Sequence, residues 1–459
     1  MKHFVLFVAL TLAFALPAGA QRYHIASLPG SPSAVNNVGQ VAGAGFTAHA
    51  FLWSKTGGTL DLGTLPGGTY SQAYVINDSG QVTGYANTAT EGHAFFWSPS
   101  TGMIDILPAG SSGSPVAINS KGDVGGSFSV GGNPYRAFLW DSVQGLRDLG
   151  FGDNSSAYAM NDAGQVVGSS GGGGYFCGAS GHAFLWLPAS GTHSLDFPGA
   201  LCTTALSINN NGQVAGYYRL NTTTPSQAFL WSKNGGFQTL PSLGGGNAAA
   251  FYINSSGQVA GVSQPNPLGG YFHAFLWDST SGIHDIAPIG TGKETNPFAL
   301  NRLGEIVGVV EYYPGSNSLL RFDWTVSTGL TPTTLTQITG LHPLNDAGQL
   351  IGLAGKSKGY VLLTPGMNVV LNATPNPSKV GQNVTFTAKV KAFVGPPPNG
   401  EMVQFKDGTA TLATVPLANG VAKFTTSSLL VGTHSITANY VGDANYDPSV
   451  SKAWSQAVK

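Results

Sequence analysis

A chain of 459 residues, 42% of them hydrophobic, is long enough to bury sizeable cores in two or three domains. Only 9% of the residues are charged and 65 are Gly, a balance that suits short strands joined by tight turns and argues against long surface helices. The formal net charge of −1, with no basic run, argues against nucleic acid or an anionic membrane surface as partner.

The chain opens as a secretory signal peptide would. Lys2 and His3 form a short polar start, Phe4 to Leu16 an apolar core, and Ala18-Gly19-Ala20 a small-residue cleavage site. The apolar core is too short to span a bilayer, and no other run is long enough. Residues 1–20 are therefore expected to be removed near Ala20, leaving a protein that is secreted or held at the cell surface with no transmembrane segment.

Residues 21–365 are internally repetitive. The motif Asn-x-x-Gly-Gln-Val-x-Gly starts at Asn36, Asn77, Asn119, Asn161, Asn209, Asn254, Asn301 and Asn345. Asp123 and Glu305 replace the Gln in two copies. A second motif, Ala-Phe-Leu-Trp, follows it and ends at Trp53, Trp97, Trp140, Trp186, Trp231 and Trp277, with a looser copy at Trp324. Each unit reads as four short strands, a to d. The Asn motif makes the a–b turn, where Asn can hydrogen-bond the backbone two residues on and Gly takes a left-handed conformation. Ala-Phe-Leu-Trp is strand c, apolar on both faces, as a strand packed between two sheets must be. Four strands per period of 41 to 48 residues predict a β-propeller. Tyr23 to Leu28 resembles a strand d, and no strand d follows the last unit. The N-terminal strand is thus expected to complete the last blade and close a ring of eight, or of seven if the final unit stands outside it.

His-Ala-Phe-Leu-Trp, at His49 to Trp53, His182 to Trp186 and His273 to Trp277, resembles the HAF family of bacterial extracellular repeats, over residues 22–364. The resemblance implies an exported bacterial repeat protein and no reaction, substrate or cofactor.

Residues 366–459 lose the period. Alternating strands such as Val384 to Ala388, Val403 to Phe405 and Ser435 to Tyr440 predict a β-sandwich of roughly seven strands. Val403-Gln404-Phe405-Lys406-Asp407-Gly408 and the stretch Gly432 to Asp443 are similar to bacterial Ig-like repeat domains. Such modules act as spacers or adhesive units.

In a propeller, b–c and d–a loops share one face. Here the b–c loops vary most, which makes that face the candidate recognition surface. Tyr175, Phe176, Tyr217, Tyr218, Tyr271, Tyr312 and Tyr313 are candidate exposed aromatics that could stack on sugar rings. Cys177 and Cys202 fall on the same face and are expected to form a disulfide, worth on the order of 3 kcal/mol, the alternative being two free thiols. His49, His93, His182 and His273 recur at the start of strand c, a blade or more apart, and are expected to pack or hydrogen-bond rather than hold metal. Asp61, Asp105, Asp148, Asp196 and Asp285 recur on strand d, where one charge per blade protects an edge more simply than it performs catalysis. No hydrolase or phosphate-binding motif is present. The expectation is a non-enzymatic binding or adhesion protein without a cofactor, with polysaccharide or cell-surface components as candidate partners. A polysaccharide-degrading enzyme and a purely structural surface protein are the alternatives.

Overall fold

The computed structural model describes residues 23–171, 181–266, 270–286, 293–312, 319–325, 329–332, 337–338, 342–354, 359–392, 397, 399–443 and 445–459. Every regular element among them is a β-strand. The chain divides into two compact units, one built on Ile25–Thr364 and the other on Pro365–Gly442 and Asp447–Lys459.

The first unit is a β-propeller of four-stranded sheets. The second sheet is representative: Ser71–Ile76, Val82–Asn87, Gly92–Ser98 and Gly102–Asp105 lie side by side in chain order, each antiparallel to the next. Six further sheets repeat this order, starting at Gly30, Ser111, Ser156, Cys202, Ala248 and Lys293. In the eighth, Gln337–Ile338, Leu350–Leu353 and Tyr360–Pro365 are followed by Tyr23–Ser27 from the start of the chain.

The repeated sequence explains the repeated sheet. In strand c, side chains alternate between the two faces of the sheet. Phe and Trp face the preceding sheet, and Ala and Leu face the following one. Leu52 thus packs with Phe95 and Trp97 of the next sheet, and Leu276 with Phe322 and Trp324. The Phe residues at positions 51, 95, 138, 184, 229, 275 and 322 are at most 2% exposed, each burial contributing about 3 kcal/mol. The eighth sheet joins in the same way, with Ile351 and Leu362 packed against Val35, Val41 and Phe51 of the first.

Two details depend on glycine. Gly39 sits at φ 76° in the first a–b turn, a conformation that penalises any side chain. The last Gly of the motif faces a β-bulge in strand a. In the fourth sheet the ladder slips between Ala157 and Ala159, and a Cβ on the opposing Gly168 would sit 2.0 Å from Ser156 O and 2.8 Å from the Phe184 ring.

The second unit is a two-sheet sandwich. Met367–Thr374, Val384–Ala392 and Val421–Thr426 form one sheet; Ala410–Pro416, Met402–Asp407, Gly432–Tyr440 and Ser449–Val450 form the other, with Trp454–Val458 also paired to Gly432–Tyr440. Strict alternation of buried and outward residues along Val384–Val390 places Phe386 inside, where Phe424 lies between it and Phe405 at ring separations of 6.3 and 5.7 Å.

Candidate functional site

The motif Asn residues form a belt through the propeller unit. All eight are 3–7% exposed. In Asn209, Oδ1 accepts from the backbone N–H of Asn211 and Gln213, closing the a–b turn, while Nδ2 donates to Gln213 Oε1 and to the backbone carbonyl of Asn254 in the next sheet. Such links from one sheet to the next, 2.8–3.1 Å long, also join Asn36 to Asn77, Asn77 to Asn119, Asn161 to Asn209, Asn254 to Asn301, and Asn301 to Asn345. Asn345 in turn donates to the carbonyl of Asn36. Between the third and fourth sheets the link runs instead from Ser120 N–H to Asp162. Asp123 and Glu305 accept from their motif Asn just as Gln does, which is why a carboxylate can stand in that position.

The recurring His and Asp residues, read separately in the sequence, are partners. His49 Nδ1 lies 3.0 Å from Asp61, His93 Nδ1 2.7 Å from Asp105, His182 Nδ1 2.9 Å from Asp196, and His273 Nδ1 3.0 Å from Asp285. In the third sheet Arg136 takes the place of His and reaches Asp148 and Asp153. The carboxylates also hold backbone: Asp61 accepts from Gly63 N–H, Asp105 from Leu107 N–H, Asp148 from Gly150 N–H and Asp196 from Ala183 N–H. Each pair therefore ties strand c to strand d, and Asp61, Asp105 and Asp148 also fix the start of the d–a loop. Burial opposes a charge on His93, but hydrogen bonds and charge from Asp105, with a further hydrogen bond from Glu91, outweigh it and raise its pKa above 6.5. Among the described residues no three of His, Cys, Asp and Glu gather as a metal site would require.

Two Ser–His pairs escaped the sequence reading. Ser190 Oγ lies 2.7 Å from His193 Nε2, and Ser281 Oγ 2.7 Å from His284 Nε2. The distances suit a nucleophile and base. Both pairs occupy the same c–d turn, Ser-Gly-x-His, in the fourth and sixth sheets, and Ser281 also donates to Asp278. The signal was a local repeat within the repeat.

On the face of the b–c loops, the expected aromatics divide. Tyr217 and Tyr218 are not exposed, and this corrects the sequence expectation: they are 6% and 5% exposed. Strand b of the fifth sheet runs on through Arg219, so both tyrosines stay within the ladder, opposite Ala228 and Gln227. Tyr218 stacks on Phe197 with ring centroids 3.7 Å apart and bonds Thr239 Oγ1 through its hydroxyl. Tyr217 packs beside Cys202, Ala249 and Val262. Tyr271 is 36% exposed, and Tyr312 ends the strand Ile306–Tyr312. Tyr175, Phe176, Cys177 and Tyr313 lie outside the described residues. The sequence reading missed Phe46, 84% exposed, Tyr135, 50% exposed, and Leu220, 45% exposed, all in b–c loops. The loop that carries Leu220 is held from within, Arg219 donating to the carbonyls of Thr222 and Thr224, and the start of the loop that carries Tyr271 is held by Gln264, whose Oε1 accepts from Asn247 of the adjoining d–a loop.

The class defined by these observations is a β-propeller carrying a separate Ig-like sandwich. Residues 371–459 match the bacterial Ig-like domain (group 3). No curated protein matches the chain. Among solved structures, the β-propeller domain of the trilobed protease from Pyrococcus furiosus is similar at 11% identity and TM-score 0.42, over 68% of this chain and 96% of that one. Dipeptidyl peptidase 4 from Porphyromonas gingivalis is similar at 10% identity and TM-score 0.47, over 92% and 65% of the respective chains.

Proposed function

We propose that the chain is an exported recognition protein of the HAF-repeat type, in which the b–c loop face of an eight-bladed ring binds polysaccharide or another cell-surface component without catalysis. The observation that carries this reading is the row of outward apolar side chains, Phe46, Tyr135, Leu220 and Tyr271, one on each of four b–c loops. An exposed aromatic on a rigid loop is an inexpensive anchor, because little side-chain freedom remains to be lost on binding. The recurring Asp and His residues, by contrast, are engaged in holding strands c and d together. Closure of the ring is supported by the bond from Asn345 to Asn36 and by the packing of Ile351 and Leu362 on the first sheet.

Export rests on the character of residues 1–20, and release or surface retention follows from it. A Cys177–Cys202 disulfide would staple the longest b–c loop to the adjoining d–a loop. Its support is that Gly181 O accepts from Thr203 N–H, so the backbone four residues from Cys177 already touches the backbone next to Cys202. Four residues reach at most about 14 Å, a span that includes disulfide geometry.

The test is retention of residues 21–459 on a panel of insoluble polysaccharides and cell walls, with sugar release assayed in the same tubes. Retention without release is expected, and a Phe46→Ser, Tyr135→Ala, Tyr271→Ala variant should lose it. Sugar release would mean an enzyme, and full retention by the variant would remove these three side chains from the surface.

A further inference from the structure

The face opposite the variable loops carries a notch between the fourth and fifth sheets, with a volume of about 590 Å³. Its lining is mostly apolar, from Leu185, Leu187, Leu195 and Trp231, with His193 and Lys233 among the polar groups. That size and mixture suit a small ligand or one residue of a polymer.

The preceding notch shows one way in which this Trp is covered. Trp186 is 8% exposed, and the Arg147 guanidinium lies 5.3 Å from its ring centroid, held by Asp141. Arg147 and His193 are equivalent, since they pair with Leu139 and Leu185 of the Ala-Phe-Leu-Trp strands. Asp141 and Leu187 are equivalent too, each opposite the Gly that opens strand d. In the later notch both members of the cation–carboxylate pair are therefore changed. His193 is turned to Ser190 Oγ, Leu187 carries no charge, and Trp231 remains partly exposed.

A ligand cation on Trp231 would find no carboxylate where Asp141 stands and would meet Lys233. Asp162, on the a–b turn beside this notch, is already engaged by Ser120 N–H and Asn210 Nδ2. Lys233 makes no ion pair among the described residues. The charge balance thus favours a negative group on the ligand, and Trp231 with the leucines favours a flat C–H face beside it.

We propose that this notch binds a sugar residue bearing a carboxylate, a uronic acid unit of a glycan chain, with its C–H face on Trp231 and its carboxylate on Lys233. The proposal rests on the reading of the protein as a polysaccharide binder, but it uses the other face. Oligogalacturonate is titrated into residues 21–459 by calorimetry, with a cello-oligosaccharide of equal length as the neutral control. Lys233→Glu, on an exposed turn, keeps the fold and should weaken oligogalacturonate binding at least about tenfold. Trp231→Leu should weaken it as well, with near-UV circular dichroism confirming that the variant is folded. The Phe46, Tyr135, Tyr271 variant should bind oligogalacturonate as the parent does. No binding by the parent, equal binding by Lys233→Glu, or equal binding of the neutral oligosaccharide would overturn the proposal. Because the two variant sets lie on opposite faces, loss of retention through one and not the other shows which reading has failed.

Discussion

At the scale of single residues, the motif Asn does three jobs with one side chain: it closes a turn, orders the following Gln and reaches the next sheet. Replacing Asn209 by Ala would leave the N–H groups of Asn211 and Gln213, Gln213 Oε1 and the Asn254 carbonyl without that partner, all near a buried position. Losing one buried and three half-buried bonds at about 1 kcal/mol each, partly offset by water, should cost about 3 kcal/mol. Urea unfolding followed by Trp fluorescence measures this, and a change below about 0.5 kcal/mol would make the belt decorative. The turn role was legible in the sequence, because Asn bonds its own backbone two and four residues on, at fixed local spacing. The reach to the next sheet was not, since its partner lies 41 to 48 residues away and only the folding of one sheet against the next brings it near. Tyr217 and Tyr218 were misread for a related reason. The motif ends at Gly216, but the ladder continues to Arg219, and pairing rather than motif length decides where a strand stops.

At the scale of the element, strand c was legible because apolar residues on both faces leave few alternatives to a strand between two sheets. The bulge in strand a was not, because nothing in a stretch such as Ala73-Tyr74-Val75 marks the extra residue that the ladder skips. The c-to-d clamp lay half in view: His and Asp were visible as recurrences, and their spacing of 12 to 14 residues hid the fact that a hairpin folds one onto the other. The clamp has a pH signature. His93 has a folded pKa above its unfolded value, so the stability it adds is fully present below about pH 6.5 and is lost as pH rises through the folded pKa. The destabilisation caused by His93→Gln should therefore be larger at pH 5.5 than at pH 8.5, measured by thermal unfolding of both proteins at each pH. An equal difference at the two pH values would mean that His93 contributes by packing alone.

At the scale of the whole molecule, the repeat solves one problem and leaves another. Each sheet hides both its faces against its neighbours, so no single sheet is expected to be stable alone, and the two ends of the repeat must find each other. Tyr23–Ser27 beside Tyr360–Pro365 meets that need with five residues from the far end of the chain. Tyr23 and Leu28 are 5% and 7% exposed, and Leu28 N–H donates to Tyr360 O. Deleting residues 21–28 would forfeit the burial of those two side chains, a loss of about 4 kcal/mol, and would leave Tyr360–Pro365 as an open edge. The truncated protein should unfold at lower urea and should associate as its concentration rises, which light scattering would detect. A synthetic peptide spanning residues 22–29 should reverse both effects by pairing with the vacated edge. If truncation leaves stability and monomer content unchanged, the N-terminal strand does not close the ring, and the bonds from Asn345 and His342 to the first sheet hold the ends together unaided.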